Sequence, residues 1–345
     1  MGCVLAFVAF PIGPSVASRR AYRFARMKFD NILFPLDFSD RSLGMAAEVE
    51  CLARRFGSKV TVMHVFEIPA TWYGTAEAPT INLNCFQEFY NAAEESLKGF
   101  KLALPPDKVE KIICEGDPSW HIANWAREHK SDLIMLGTRG FGRLQGLLLG
   151  SVAAKVIHDT PCPIWTDANA QLKRVYKNEI SDILCAVDID EETVPLMRFA
   201  DDVARLFSAK LHLVHCIPEA ETRPNKYFDF DLHRYLLEGA RVELKKLQRE
   251  AGMKGEITVT GGGVSKAVRN LALENNVGLI VLGRGEAQHR FGRLRTHAYQ
   301  IVHDAPCPVL SYCLAPSAHT SSSYSGERLY QSSKSEPPPI GSSPI

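Results

Sequence analysis

Four short blocks of this chain occur twice, in the same order. The first block, NILFPLDFSD at residues 31–40, returns as DILCAVDIDE at residues 182–191. KVTVMHVFEIP returns as KLHLVHCIPEA, SDLIMLGTRG as VGLIVLGRGE, and VIHDTPCPIW as IVHDAPCPVL, and the copies of each block are 145–151 residues apart. Chance does not arrange four matched blocks in one order. The chain therefore contains two copies of one structural unit.

Within one unit, apolar strands alternate with amphipathic helices. In the first copy we predict strands at residues 32–36, 59–68, 109–116, 132–137 and 162–167. An apolar stripe at helical spacing predicts a helix after the first strand, capped by Ser39 or Asp40 and ended by Gly57. Further helices are predicted at residues 84–104, 119–130 and 151–160.

The central strands are apolar without alternation, which is typical of a parallel sheet buried on both faces. We therefore predict an α/β fold of two doubly wound parallel-sheet domains, with five strands each and Rossmann-like or flavodoxin-like layering. In such sheets, ligands bind at the carboxyl ends of strands, near the point where the strand order reverses. Asp37, Val65 and Gly137 all fall at such strand ends.

The stretch GTRGFGRLQGLLLGS, residues 137–151, follows the fourth predicted strand and opens a helix. Glycines let backbone N–H groups approach an anion, and a helix N-terminus adds its positive end. Glycine-rich loops also serve as plain turns. The stretch is not a Walker loop, and its near-match to GxGxxG has the wrong spacing and follows the wrong strand. From these residues alone, phosphate binding and a plain turn both remain open.

The spacing Gly137-x2-Gly140-x9-Gly150-Ser151 is similar in full to the nucleotide-binding motif of the universal stress protein family, G-x2-G-x9-G-[ST]. ILFPLDFSD, VMHVFEI, CEGDP and DTPCPIW also resemble the strands and turns of that family. The resemblance covers about residues 29–167 and 181–313. It implies two universal stress protein domains in tandem, and with them an ATP-binding regulatory protein of the stress response.

The resemblance also implies where ATP would bind, with or without Mg²⁺. Asp37 and Val65 would hold the adenosine, Val65 through its backbone, and the Ser151 hydroxyl would touch a phosphate oxygen. Backbone amides of the glycine stretch would wrap the phosphates. The implied ATP-binding residues are Pro35, Leu36, Asp37, Val65, Leu136, Gly137, Arg139, Gly140, Gly150, Ser151 and Val152.

Several of these residues have plainer alternatives. Asp37 and Ser151 are also suited to cap helices. Arg139 and Arg143 are as well suited to solvated surface as to phosphate. Two histidines lie on buried strands, where we expect satisfied core side chains instead of catalytic groups: His64 and His215.

The second copy departs from the motif. Glu286 stands where the second glycine is due, and Arg295-Thr296 replaces Gly150-Ser151. A Cβ restricts the backbone near a phosphate, and Glu286 would repel one. We therefore expect one nucleotide site, in the first copy, although Asp188 and Gly283 are retained. The basic residues of the second loop are suited either to another anion or to solvent: Arg284, Arg290, Arg293 and Arg295.

Composition limits the other function classes. A formal net charge of +1 gives no overall field that favours nucleic acid or an anionic membrane. Nine scattered cysteines without zinc spacing indicate reduced thiols in a cytoplasmic protein, with no metal site. No acid, base and nucleophile converge, so we expect no enzyme beyond weak ATP hydrolysis. A nucleotide-using enzyme and a ligand-independent scaffold are the alternatives.

The domains are expected at residues 27–167 and 181–314, joined by a linker at 168–180. The apolar run of the leader, residues 1–26, is too short to span a bilayer. We therefore expect that the true start is Met27 or that the leader is disordered, and a leader that tethers the chain to a membrane is the alternative. The Ser- and Pro-rich tail, 315–345, is expected to be disordered.

Each copy closes with a strand, CPIWTD in the first and CPVLSYC in the second. The family resemblance implies that subunits pair through this strand. Pairing the two copies inside one chain would cover two exposed sheet edges. We therefore expect an internal pseudo-dimer, and leave a further homodimer open.

Overall fold

The computed structural model describes residues 27–67, 83–138, 149–170, 180–217, 228–285 and 293–314. Predictions that concern the leader, the tail, most of the linker and parts of both loops lie outside these residues. The loop residues concerned are Arg139, Gly140, Arg143, Glu286 and Arg290.

Strands and helices alternate through the described part of the first half. The strands are β1 Asn31–Pro35, β2 Lys59–Phe66, β3 Val109–Glu115, β4 Leu133–Gly137 and β5 Ile164–Asp167. The helices are α1 Asp40–Phe56, α2 Leu83–Gly99, α3 Pro118–Glu128 and α4 Ser151–Asp159.

The second half repeats this order. Its strands are β6 Asp182–Ala186, β7 Lys210–Ile217, β8 Glu256–Gly261, β9 Leu279–Gly285 and β10 Val309–Leu314. Its helices are α5 Thr193–Phe207, α6 Phe228–Ala251, α7 Val264–Glu274 and α8 Arg293–Asp304. The predicted α/β class with five strands in each half is confirmed.

Helix α2 ends at Gly99, five residues before the predicted end at residue 104. Leu104 precedes a proline, and the residue before proline disfavours the helical region. The backbone of Ala103 bonds to α1 instead: its N–H donates to Glu50 Oε1 at 2.8 Å, and its carbonyl accepts from Arg54 Nη2 at 2.6 Å. The segment therefore lies against α1 without forming a further helical turn.

All ten strands form one sheet, in the order β3-β2-β1-β4-β5-β10-β9-β6-β7-β8. Every neighbouring pair is parallel except β5 and β10, which are antiparallel and place Trp165 opposite Leu310. The expected contact between the two closing strands is therefore present. It joins the two halves into one continuous sheet.

The two faces of this sheet are packed differently. On one face, α1, α2, α5 and α6 cover a single apolar cluster that extends across both halves. On the other face, α3 and α4 cover one cluster and α7 and α8 cover another. The halves therefore share a core on one face only.

Aromatic side chains connect the halves on the shared face. Phe207, at the end of α5, lies edge-on to Phe56 of α1 with ring centroids 5.6 Å apart, and 6.2 Å from the ring of the buried Trp165. The guanidinium of Arg55 lies 5.0 Å from the centre of the Phe207 ring. Phe207 is thus a contact of one half with two aromatic rings of the other.

The helix ends follow the local sequence. Ser39 caps α1 by accepting a hydrogen bond from Ser42 N, and Gly57 ends it in the left-handed region at φ 69°. Asp117 caps α3 by accepting from Trp120 N at 3.1 Å, with Pro118 in the first turn. The described residues contain no helix long and apolar enough to cross a membrane.

Truncating Phe207 tests the shared core. We expect Phe207→Ala to lower the free energy of unfolding by about 3–5 kcal/mol, because it removes a buried aromatic side chain between the halves. Tyr235→Ala, at a residue 72% exposed, is the control and should change it by less than ~0.5 kcal/mol. Urea titration measures both, and equal losses would contradict the shared core.

The cap at Asp117 makes stability depend on pH. Hydrogen bonds from Ser119 and from Trp120 N, together with Lys155, lower the pKa of Asp117 from 3.8 to about 2. Because the folded pKa is depressed, the contribution of this carboxylate is complete above pH 3.8 and is lost as the pH falls towards 2.

We therefore expect Asp117→Ala to lower the free energy of unfolding by about 1 kcal/mol at pH 7. Asp117→Asn keeps a capping oxygen that does not titrate. The difference in stability between wild type and Asp117→Asn should narrow between pH 4 and pH 3 in urea titrations. A difference that stays constant over this range would show that the carboxylate charge has no role.

Candidate functional site

The strand order of the first half reverses between β1 and β4. The chain passes from β1 through β2 to β3 on one side of β1, and then returns to place β4 on the other side. Asp37 lies two residues beyond the end of β1, and Gly137 is the last residue of β4. The crevice at this edge is where parallel sheets bind ligands.

The carboxylate of Asp37 is held in place by the first turn of α1. Its Oδ1 accepts from Ser39 N at 3.0 Å, from Ser39 Oγ at 2.6 Å and from Ser42 Oγ at 2.5 Å. Asp37 is exposed, and its Oδ2 has no hydrogen-bond partner among the described residues. Ser39 is the cap of α1, so the capping alternative for Asp37 is wrong, and one carboxylate oxygen remains available to a ligand.

Two backbone contacts bring the glycines to this carboxylate. A Cβ added to Gly137 would lie 3.4 Å from Ser42 N, so the end of β4 lies directly against the first turn of α1. Gly150 N donates to Thr138 O at 2.8 Å. The two ends of the glycine stretch therefore meet beside Asp37.

Helix α4 begins here with backbone amides that have no hydrogen-bond acceptor among the described residues. Gly150 is its cap, with φ −59° and ψ 146°, and the Gly150 carbonyl accepts the first intrahelical bond from Ala154 N at 2.8 Å. The amides of Ser151, Val152 and Ala153 therefore have no carbonyl of the helix to bond to. Ser151 is exposed and already helical, so the alternative that Ser151 is the cap is wrong.

Apolar side chains line the crevice beside these polar groups. Leu136 is buried, and Val65 and Val152 are half-buried against the same cluster. At the end of β1, Pro35 is half-buried, and Leu36 N donates to Met63 O at 2.8 Å. The structure thus brings together the described members of the predicted site, while Arg139 and Gly140 lie outside the described residues.

Both strand histidines are satisfied by a backbone carbonyl, as expected. His64 Nδ1 donates to Leu36 O at 2.7 Å, and His215 Nδ1 donates to Val187 O at 2.9 Å. These matching bonds join β1 to β2 and β6 to β7. The two rings therefore act as structural links at the strand ends.

The conformation of Phe38 was not predicted from the sequence. Phe38 has a φ of 60°, in the left-handed region, and its ring lies 4.9 Å from the ring of His64. This turn points the Asp37 carboxylate back towards Ser39 and Ser42. The spacing D-x-S is a signal for such an Asx turn.

The second half builds the matching helix differently. Helix α8 begins at Arg293, three residues before Thr296, which matches Ser151. The amides of Thr296 and His297 therefore lie within the helix, and the amide of His297 is placed to bond to the Arg293 carbonyl, four residues earlier. A backbone donor that is free at the start of α4 is thus used within α8.

The turn after the first strand carries more negative charge in the second half. Acidic residues occupy three of the four positions after Asp188, whereas an acid and a base offset each other after Asp37. The charged residues sum to −4 in one turn and −1 in the other: Asp188, Asp190, Glu191 and Glu192 against Asp37, Asp40 and Arg41. Like charges repel, so the second turn is less suited to phosphate groups.

Cys216 stands where the first half has Val65. It is 5% exposed, and burial together with the nearby Asp188 carboxylate raises the pKa of its thiol to about 11. The thiol is therefore protonated near neutral pH and behaves as a small apolar side chain.

Arg284 serves neither of the two roles expected for it. It is only 5% exposed, so it is not a solvated loop residue. Its guanidinium donates to the carbonyls of Ile157 and Thr160 at the end of α4, and to Cys162 O. Because these donors are directed at carbonyl groups of the first half, they are not available to an anion.

Comparisons with known proteins agree with the fold and the repeat. A sequence model of the universal stress protein family matches residues 28–166 and again 179–312. A universal stress protein of Thermus aquaticus is 29% identical over 136 residues, covering 39% of this chain and 96% of the relative. Universal stress protein MJ0531 of Methanocaldococcus jannaschii is 30% identical over 138 residues, covering 39% of this chain and 80% of the relative.

The fold is also found among solved structures. The crystal structure of a universal stress protein from Archaeoglobus fulgidus superposes with a TM-score of 0.55 at 20% identity, covering 84% of this chain and 97% of that one. The two matches to the family sequence model together cover most of this chain. The chain therefore belongs to the universal stress protein family and carries two of its domains in tandem.

Proposed function

We propose that this chain is an ATP-binding regulatory protein of the cytoplasmic stress response, with one nucleotide site in its first half. The observation that carries the proposal is the start of α4. Free amides of Ser151, Val152 and Ala153 lie next to the end of β4, at the crevice where the strand order reverses. No side chain caps this helix.

The start of α4 suits the phosphates. Aligned amides and the positive end of the helix dipole favour an anion, and each hydrogen bond to a charged group contributes about 1.5–3 kcal/mol. Gly150 places no side chain over these donors. The Ser151 hydroxyl, exposed in the first turn, is suited to a phosphate oxygen.

Asp37 suits the ribose. Ser39 and Ser42 fix its Oδ1, which leaves Oδ2 to accept a hydroxyl hydrogen from a sugar. The half-buried side chain of Val65 offers an apolar wall to the base. The apolar wall, the oriented carboxylate and the phosphate cradle suit the base, the ribose and the phosphates of adenosine triphosphate, respectively.

The second half is a poor second site for two reasons. The donors that match those of α4 lie inside α8, and the adjacent turn carries the larger negative charge. Losing two charge-assisted hydrogen bonds alone weakens binding about a hundredfold or more.

We favour binding over catalysis from the chemistry of the groups at the crevice. One oxygen of Asp37 is held by the two serines, and the Nδ1 of His64 is bonded to Leu36 O. The described residues contain no cluster of three or more acidic, histidine or cysteine side chains that could hold a metal ion. Rapid ATP turnover by the purified protein would instead favour the enzyme alternative.

Gly150→Glu tests the phosphate cradle. A carboxylate beside the free amides should weaken ATP binding at least about a hundredfold, as measured by titration calorimetry. The fold should survive, because any residue can adopt the φ of −59° and ψ of 146° found at Gly150. Arg295→Glu, at the matching position of the second half, is the control and should leave ATP affinity unchanged. Unchanged affinity in folded Gly150→Glu protein would reject the cradle.

The number of sites tests the difference between the halves. We expect titration calorimetry of the intact wild-type chain to give about one ATP per chain, because the matching amides of the second half lie within α8 and the adjacent turn carries more negative charge. A scaffold that needs no ligand would give no heat above dilution. Two equivalent sites of equal affinity would show that the second loop also binds nucleotide.

A further inference from the structure

We propose that Arg284 is a positioning residue for the nucleotide site: through it, the second half braces helix α4 and keeps the helix start in place for the phosphates. This inference rests on the proposed function. Arg284 lies in β9, in the part of the second half that matches the glycine stretch. The end of β9 therefore has a mechanical role in the first site.

The charge of Arg284 is held by backbone carbonyls of the first half. A buried cation is costly unless it is well bonded. Here Nη1 donates to Ile157 O and Thr160 O at 2.5 Å each, and Nη2 donates to Cys162 O. The first two carbonyls end α4, where the negative end of the helix dipole stabilises a cation. The bonds therefore fix the end of α4 to β9 of the other half.

The second half also contacts the opposite end of α4. Leu149, the residue before the Gly150 cap, packs against the apolar cluster of the first half and also against that of the second. The second half therefore contacts α4 at both ends, through an apolar side chain at its start and a guanidinium at its end.

The two halves are not equivalent at the position of Arg284 or at the ends of α4 and α8. Thr138 stands at the position that matches Arg284, and its buried Oγ1 has no partner among the described residues. Ala305 O, which matches Thr160 O, accepts a bond from the Asn169 amide at 3.0 Å. The end of α8 is thus hydrogen-bonded to the neutral side-chain amide of a residue that follows β5, whereas the end of α4 is hydrogen-bonded to a charged guanidinium.

A helix of nine residues moves as a rigid body, so a change at one end is felt at the other. Without the guanidinium, α4 loses the bonds that fix its end to β9, and we expect its first amides to be less well aligned with the crevice. Coupling between separate sites is typically about 5- to 150-fold in affinity. We expect an effect near the lower end, because Leu149 still holds the start of the helix.

The test uses the full chain and compares three variants. Arg284→Met removes the donors and keeps a long side chain, and Arg284→Lys keeps a charge with fewer donors. Arg55→Met is the matched control, because Arg55 also crosses between halves to helix-end carbonyls: it donates to Leu206 O at 3.4 Å and Phe207 O at 3.3 Å, on the other face. ATP affinity is measured by calorimetry, and hydrogen exchange of α4 is measured without nucleotide.

We expect Arg284→Met to weaken ATP binding about tenfold and to speed amide exchange in α4, with Arg284→Lys intermediate. Arg55→Met should leave ATP affinity within about twofold of wild type, whatever it does to stability. Equal affinity and equal exchange in wild type and Arg284→Met would overturn the inference. Equal losses of affinity in Arg55→Met and Arg284→Met would overturn it as well, because the effect would then be a general loss of the interface.

The outcomes separate this inference from the proposed function. If the wild type binds no ATP, the proposed function fails, and with it the positioning role. If the wild type binds ATP and Arg284→Met binds it equally well, only the positioning role fails. Should Arg284→Met not fold, Arg284→Lys supplies both measurements, and unchanged values in that folded variant would overturn the proposal.

Discussion

The antiparallel pairing of β5 with β10 is the constraint on which the rest of this molecule depends. Elsewhere each half is a parallel sheet, whose strands all end at the same edge. Joining two such sheets through one antiparallel pair directs their carboxyl ends in opposite directions. The proposed nucleotide site and its altered counterpart therefore open at opposite edges of one sheet, and α4 reaches from one towards the other.

This arrangement gives the two ends of α4 different electrostatic partners. Its free amides are directed at the crevice proposed for phosphate, and its last carbonyls accept hydrogen bonds from Arg284. An anion at the start and a cation at the end are the two charges that a helix dipole stabilises. The same position in the repeat thus belongs to the stretch proposed to bind an anion in one half and supplies a cation for a helix end in the other.

Local signals in the sequence predicted most of the fold. Apolar runs located the strands, and Gly57 and Ser39 marked helix ends through turn chemistry that depends on near neighbours only. The end of α2 was predicted too late, because the helical pattern gave no sign that the Ala103 backbone bonds to α1. The glycine spacing and the residue at the end of β1 indicated which groups to expect in the crevice. Their ligand remains a prediction.

The structural features that were not predicted from the sequence depend on contacts between distant residues. Arg284 was expected in solvent or on an anion, because its carbonyl partners lie more than a hundred residues away in the other half. The start of α8 at Arg293 is also not indicated by the match of Arg295-Thr296 to Gly150-Ser151, because a residue-by-residue match does not show where a helix begins. Single residues at a repeat position do not reveal which surface will cover them.

The covalent connection between the halves has a consequence for symmetry. In a homodimer with a two-fold axis, every substitution occurs twice and acts at both sites. An arginine that braced the neighbouring helix would then stand in both copies of the loop, in place of both threonines. Within one chain the two copies can differ, so Thr138 and Arg284 occupy matching positions in the same molecule. Two covalently linked copies can therefore take different roles at matching positions, which an identical pair of subunits cannot.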